Sequence, residues 1–213
     1  MEIVKIDSRN PAVEIIKKAV RIIKNGGIIV YPTDTCYGLG VNAFDKKAIE
    51  GLIKLKGREK RKPISVVVSF KMIDSLLKID RNRKEILKKN LPGPFTFILP
   101  FKTSIDRRGI FKDLGSKSTL GIRISDSLIC QKLTEALKIP YTATSANISG
   151  QKPTYSVKEI LNQFKNKKIQ PDLILDAGEL PKNPPSTVVD LTSWPPKMLR
   201  KGYKRLSLKK AFK

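Results

Sequence analysis

Apolar positions along this chain recur with two periods, one helical and one alternating, and the two take turns. Over residues 8–24 the helical period holds, with Ala12, Ile15, Ile16, Ala19, Val20 and Ile23 on one stripe. Asn10 is placed to cap that helix, Pro11 suits its first turn, and Asn25-Gly26-Gly27 ends it. Residues 28–31 form a short apolar run of the kind a buried strand shows. A polar loop follows, in which Gly38 and Gly40 leave backbone uncovered. Asp45 can cap the next helix, whose stripe is Ala48, Ile49, Leu52 and Ile53 and which must stop near Gly57. Residues 64–69 read as a strand.

Beyond it, residues 71–77 and 83–90 read as short surface helices. Pro92-Gly93-Pro94 turns the chain into a strand over 95–99 that Pro100 ends. Residues 103–118 are polar. Residues 120–124 read as a strand carrying a cation, Arg123, in its interior, and such a charge needs a partner or a cleft. A helix over 128–138, a strand from Tyr141 and a helix over 156–164 follow, the last with Ser156 and Glu159 as a capping box. Residues 172–175 and 187–191 are the remaining strand candidates. Strands alternate with helices while several connections are hairpin-like, so the pattern predicts an α/β fold with a mixed sheet.

Charge adds the next constraint. The 213 residues carry 43 Lys and Arg against 19 Asp and Glu, a net charge of +24, which favours polyanionic partners such as nucleotides or nucleic acid. Six of the nine residues 54–62 are cationic, more than a helix C-terminus needs to complement its dipole. Residues 197–213 hold eight cations and no acid. Histidine is absent, which excludes Ser-His-Asp and Cys-His nucleophiles, a histidine base and histidine-ligated metals. Cys36 and Cys130 lie far apart and indicate neither a zinc site nor a disulfide framework. No apolar stretch approaches the ~20 residues of a membrane span, and no signal peptide is evident, so a cytoplasmic protein with no membrane partner is expected. Residues 109–118 (GIFKDLGSKS) have the wrong spacing for a phosphate-binding P-loop.

Chemistry is therefore left to cations, hydroxyls, backbone N–H groups and carboxylates, and two strand ends concentrate them: YPTDTCYGLG from Tyr31 and SANISG from Ser145. With Lys56-x-Arg58, KPIS from Lys62, LPGPFTFIL, GIR at 121–123 and STVVDLT from Ser186, these motifs resemble the YrdC/Sua5 family of threonylcarbamoyl-AMP synthases. They occur in the family's order and cover about residues 10–202. The resemblance implies an open basic cleft over a twisted mixed parallel and antiparallel sheet flanked by helices. It also implies one catalytic domain over residues 1–205, a basic tail over 206–213, and the short form that lacks the second domain of longer relatives.

The reaction so implied joins L-threonine, bicarbonate and ATP into threonylcarbamoyl-AMP with release of pyrophosphate, Mg²⁺ arriving with the ATP. A separate tRNA threonylcarbamoyl transferase then delivers the group to N6 of adenosine 37 in tRNAs reading ANN codons, and tRNA itself is a further possible contact. Lys56, Arg58, Ser145 and Asn147 match the family's catalytic KxR…SxN tetrad. Thr119, Ser186 and Arg200 resemble its nucleotide-side positions, along with the tetrad. Thr33, Lys62 and Arg123 resemble its threonine-side positions, where Thr142 and Thr144 are alternatives. Both tetrad cations are expected to face the ATP phosphates, with Lys56 exposed. The rival readings are a non-catalytic RNA- or nucleotide-binding module of the same fold and a carbamoyl-adenylate domain of hydrogenase-maturation type.

Overall fold

The computed structural model of the protein describes residues 1–59, 62–102, 104, 113–114 and 118–206. Within them ten strands form one sheet: β1 (Glu2–Lys5), β2 (Ile29–Pro32), β3 (Tyr37–Gly40), β4 (Ser65–Val67), β5 (Phe95–Pro100), β6 (Thr119–Arg123), β7 (Tyr141–Ser145), β8 (Leu173–Asp176), β9 (Thr187–Asp190) and β10 (Lys197–Arg200). The order across it is β1-β8-β2-β3-β7-β4-β6-β5-β9-β10. The pairs β1–β8, β8–β2, β4–β6 and β5–β9 are parallel and the rest antiparallel, so the mixed sheet expected from the connections is present.

The helices are α1 (Val13–Lys24), α2 (Lys46–Lys56), α3 (Phe70–Leu76), α4 (Arg81–Asn90), α5 (Leu128–Leu137) and α6 (Val157–Phe164). Asp45 caps α2 by accepting from Ala48 N at 3.1 Å, and Ser156 with Glu159 forms the capping box of α6. The start of α1 differs from the expectation. Its cap is Ala12, with no side-chain bond, so Asn10 does not serve there.

Two apolar clusters sandwich the sheet. The larger lies between one face and α2, α3, α4 and α6, and includes Val30, Leu39, Val66, Phe97, Ile122, Ile174 and Val189. The smaller lies on the opposite face under α1 and α5, and includes Ile29, Tyr31, Val67, Tyr141, Leu173 and Leu175. Neighbouring strand residues such as Ile29 and Val30 go to opposite clusters, as the pleat requires. Because α1 and α5 cover only the first half of their face, the strands beyond β7 leave the other half open.

The segment read as a polar loop contains a strand instead. Gly38 and Gly40 lie in β3, buried beneath the ring of Tyr31. A Cβ at either glycine would come within 3.0 Å of that ring. Tyr31 reaches across β3 and donates its hydroxyl to Thr142 O on β7 at 3.0 Å, while meeting Tyr141 edge-on at 5.3 Å. Both glycines are needed for the close approach of an aromatic ring, and Gly38 also lines the cleft described below.

Candidate active site

Alternation along the open half of the sheet builds the floor of a cleft. In β5, Phe95, Phe97 and Leu99 enter the larger core while Thr96 and Ile98 face the opening. In β6, Leu120 and Ile122 are core while Thr119, Gly121 and Arg123 face the opening. Ser65 and Val67 of β4, Ala143 and Ser145 of β7 and Val188 of β9 continue the surface. The result is a cleft of about 580 Å³ with a floor of small and hydroxylated side chains and three guanidiniums, Arg58, Arg123 and Arg200, on its walls.

One wall is tied by Lys56, the last residue of α2. Its ammonium donates to Asn147 O at 2.8 Å, to Asn147 Oδ1 at 3.1 Å and to Ser145 O. The hydroxyl of Ser145 donates to Asn147 Oδ1, and the amide of Asn147 donates to Ile148 O and Gln151 O. Ser149 N completes the tie by donating to Lys56 O at 2.8 Å. The four tetrad residues thus converge, with one departure from the expectation. Lys56 is 1% exposed and stands behind Ser145 and Asn147, which line the cleft while it does not. Burial, and next the nearby Arg58 guanidinium, draw its ammonium down to about 7.

Gly57 closes α2 in the left-handed region at φ 59° and turns Arg58 toward the opening. Arg58 is braced by Pro63 O at 2.8 Å and Lys62 O at 3.4 Å, and burial holds its guanidinium below the usual arginine range. Lys62 is not brought to the cleft. Its ammonium turns outward to Glu59 at 3.0 Å, with half the side chain exposed, so only its carbonyl serves the wall. Lys60 and Arg61 of the cationic run fall outside the described residues, as do residues 207–213 of the tail and most of the rejected 109–118 segment.

On the expected threonine side, Thr33, Arg123 and Thr144 all line the cleft. Of the two alternatives, Thr144 lines the cleft, whereas Thr142 is fully buried and bridges Leu39 O and Val41 N at 3.1 Å each. The Thr33 hydroxyl donates to Cys36 O at 2.7 Å and accepts from Thr35 N, which shapes the loop between β2 and β3. Arg123 pairs with Asp34 at 2.7 Å, and Ser125 Oγ donates to the same carboxylate oxygen at 2.6 Å. Asp34, Thr35 and Ser125 were not singled out from the sequence. The available signal was an acid set between two threonines at a strand end in a chain short of acids.

On the expected nucleotide side, Thr119, Ser186 and Arg200 line the cleft. Ser186 Oγ bonds Thr96 Oγ1 at 2.9 Å, and Arg200 grips Ser186 twice, Nε to the carbonyl and Nη2 to the hydroxyl, at 3.0 Å each. The chain after β10 is pinned close by. A Cβ at Gly202 would lie 2.1 Å from Pro185 O and 2.4 Å from Thr187 N, so the two backbones touch only because residue 202 is glycine. Burial and then the Arg123 charge lower the Arg200 guanidinium, as expected of two cations facing one cleft.

A family model described as telomere recombination, covering Sua5, YciO and YrdC proteins, matches residues 21–202. The chain belongs to the Sua5/YciO/YrdC family. Within it, the protein named threonylcarbamoyl-AMP synthase of Pyrococcus abyssi is 36% identical over 189 residues, which are 88% of this chain and 54% of that protein. The chain therefore spans about half the length of that relative. The crystal structure of P. abyssi Sua5 complexed with L-threonine has 33% identity and a TM-score of 0.84, covering 95% of this chain and 58% of that one. Escherichia coli YciO, named an uncharacterized protein, is 32% identical over 91% of each chain, and its crystal structure superposes with a TM-score of 0.83. The mixed open sheet flanked by helices is the fold of both.

Proposed function

We propose that the protein is an L-threonylcarbamoyladenylate synthase, which makes threonylcarbamoyl-AMP from L-threonine, bicarbonate and ATP for N6-threonylcarbamoyladenosine in tRNA. The observation that carries this reading is the cleft itself, about 580 Å³ with Arg58, Arg123 and Arg200 around a floor of small polar residues. That volume suits a nucleotide beside a small amino acid. The family relative named for this activity, and the structure of Sua5 with threonine, support the same assignment.

Threonine carbamate is anionic without help from a base, and the chain has no histidine to supply one. Its carboxylate oxygen attacks the α-phosphorus of ATP, the bond to the β-phosphate bridge breaks, and pyrophosphate leaves. The protein's part is to align two anions and offset the charge that builds on the phosphates. Arg58 and Arg200 offer forked N–H donors to phosphate oxygens, supported by Ser145, Asn147, Thr119 and Ser186. Arg123, Thr33 and Thr144 take the amino acid. Lys56 acts through the wall it ties, by holding Ser145 and Asn147 in place. Mg²⁺ enters as part of the ATP substrate. The product passes to a separate tRNA threonylcarbamoyl transferase, in the cytosol. Among the described residues no helix is long and apolar enough to cross a membrane.

Pyrophosphate release from ATP tests the proposal. It should need threonine and bicarbonate together and be negligible with either alone. Release that ignores threonine would overturn the assignment. RNA binding with a steep salt dependence and no turnover would instead favour the binding-module reading.

A further inference from the structure

The nine ion pairs among the described residues divide sharply by burial. Eight have at least one partner whose side chain is 46% exposed or more, whereas Arg123 and Asp34 keep only 12% and 11%. A buried acid is costly unless its geometry is well satisfied. Here one oxygen, Oδ1, takes both Arg123 Nη2 at 2.7 Å and Ser125 Oγ at 2.6 Å, while Oδ2 is buried with no hydrogen-bond partner among the described residues. Arg123, Thr35 and Ser125 line the cleft, and Asp34 does not. The carboxylate therefore stands behind the guanidinium, on the side away from any ligand. Thr35 Oγ1, at 3.4 Å from Nη1, touches the same group.

A long arginine side chain in this cleft has a competing attraction. Arg58 and Arg200 mark where anionic phosphates would lie, and a loose Arg123 could swing toward the same charge. A planar fork recognises a carboxylate well only when its orientation is already set.

We propose that Asp34 is a positioning residue for amino-acid recognition: it clamps the inner edge of the Arg123 guanidinium, with Ser125 steadying the clamp, so that the outer N–H donors meet the amino acid's carboxylate. This inference rests on the synthase reading above. It assigns a role to a residue that touches no substrate, and separates recognition of the amino acid from recognition of ATP.

The test combines steady-state pyrophosphate release with ¹⁵N spectra of the Arg123 guanidinium in ligand-free protein. Asp34→Asn keeps the shape and loses the charge. Its KM for threonine should rise about tenfold, while its KM for ATP stays within about twofold. The Arg123 N–H signals, separately resolved in the wild type at low temperature, should merge in the variant as the guanidinium begins to rotate. Ser125→Ala, which keeps both charges, should raise the threonine KM less, and it carries the test if Asp34→Asn does not fold. An unchanged threonine KM in a folded variant would overturn the proposal, as would equal rises for threonine and ATP. Wild-type protein without threonine-dependent turnover would sink the synthase reading. The spectra then decide alone, since a guanidinium equally restrained with and without the Asp34 charge is not clamped by it.

Discussion

Lys56 and Asn147, 91 residues apart in the chain, meet at 3.1 Å between Nζ and Oδ1. That contact joins the end of α2 to the end of β7 and makes the two motif pairs one wall. It also divides their roles. Arg58 presents its charge to the cleft, while Lys56 spends its three protons on Ser145 and Asn147.

Lys56→Met should therefore be costly to the fold, contrary to the exposed position read from the sequence. Of the three oxygens that Lys56 serves, Ser145 O keeps Asn147 N and Asn147 Oδ1 keeps the Ser145 hydroxyl, but Asn147 O loses its donor, and a buried unsatisfied acceptor costs about 1–3 kcal/mol. A loss of about 2 kcal/mol, roughly 4–8 °C in Tm for a domain of this size, is expected by thermal unfolding. The pH dependence has a definite sign. The ammonium is held near 7 in the folded protein and near 10.5 once unfolded, so between those values the unfolded chain binds the proton more. Wild-type stability relative to Lys56→Met should then rise with pH across that window. A difference that is flat from about pH 6.5 to 9.5, or an unchanged Tm, would contradict the buried ammonium.

Arg123 and Asp34 should behave as a coupled pair in stability as well as in recognition. Arg123→Gln leaves the Asp34 carboxylate buried without its counter-charge, a loss of up to about 3–5 kcal/mol. Adding Asp34→Asn removes the uncompensated charge and should recover much of that loss. Urea denaturation of the two single variants and the double variant gives the coupling, and simple additivity would contradict it.

Gly202→Ala should act on ATP rather than on threonine. The added methyl strikes the backbone at Pro185 and Thr187, and the strand bearing Arg200 must move away from Ser186. A severalfold rise in KM for ATP with little change for threonine is the expected kinetic result. Equal effects on both substrates would show that Gly202 matters to the fold alone.

The two cysteines should be inert in the native protein. Burial pushes the Cys130 thiol up to about 11 and raises Cys36 as well, so both stay protonated at mildly alkaline pH. Iodoacetamide at about pH 8 should label neither within minutes, and both readily in denaturant, by mass spectrometry. Prompt native labelling of Cys36, which lines the cleft at 8% exposure, would contradict this account of its surroundings.

What could be read in the sequence was whatever left a periodic or chemical trace in adjacent residues. The apolar run from Phe95 to Leu99 announced a strand, and Arg123 inside a strand announced a charge in need of a partner or a cleft. β1 and β10 have almost wholly exposed residues, so they offered no apolar face to recognise. β3 was hidden by its glycines, whose purpose depends on a ring that comes from β2. Lys56 was read as surface because lysines usually are, and its burial depends on oxygens 89 and 91 residues away. Lys62 erred the other way: it is close to Arg58 in the chain, yet its side chain turns outward to Glu59.

The central claim is that one cleft joins threonine, bicarbonate and ATP in a single product. Incubation with ¹³C-bicarbonate, ¹⁵N-threonine and ATP, followed by mass spectrometry of the nucleotide fraction, tests it most directly. An adenylate carrying both labels, formed by the wild type and reduced by roughly two to three orders of magnitude in Arg58→Ala, is the predicted result. An adenylate lacking either label, or full synthesis by a folded Arg58→Ala protein, would contradict it.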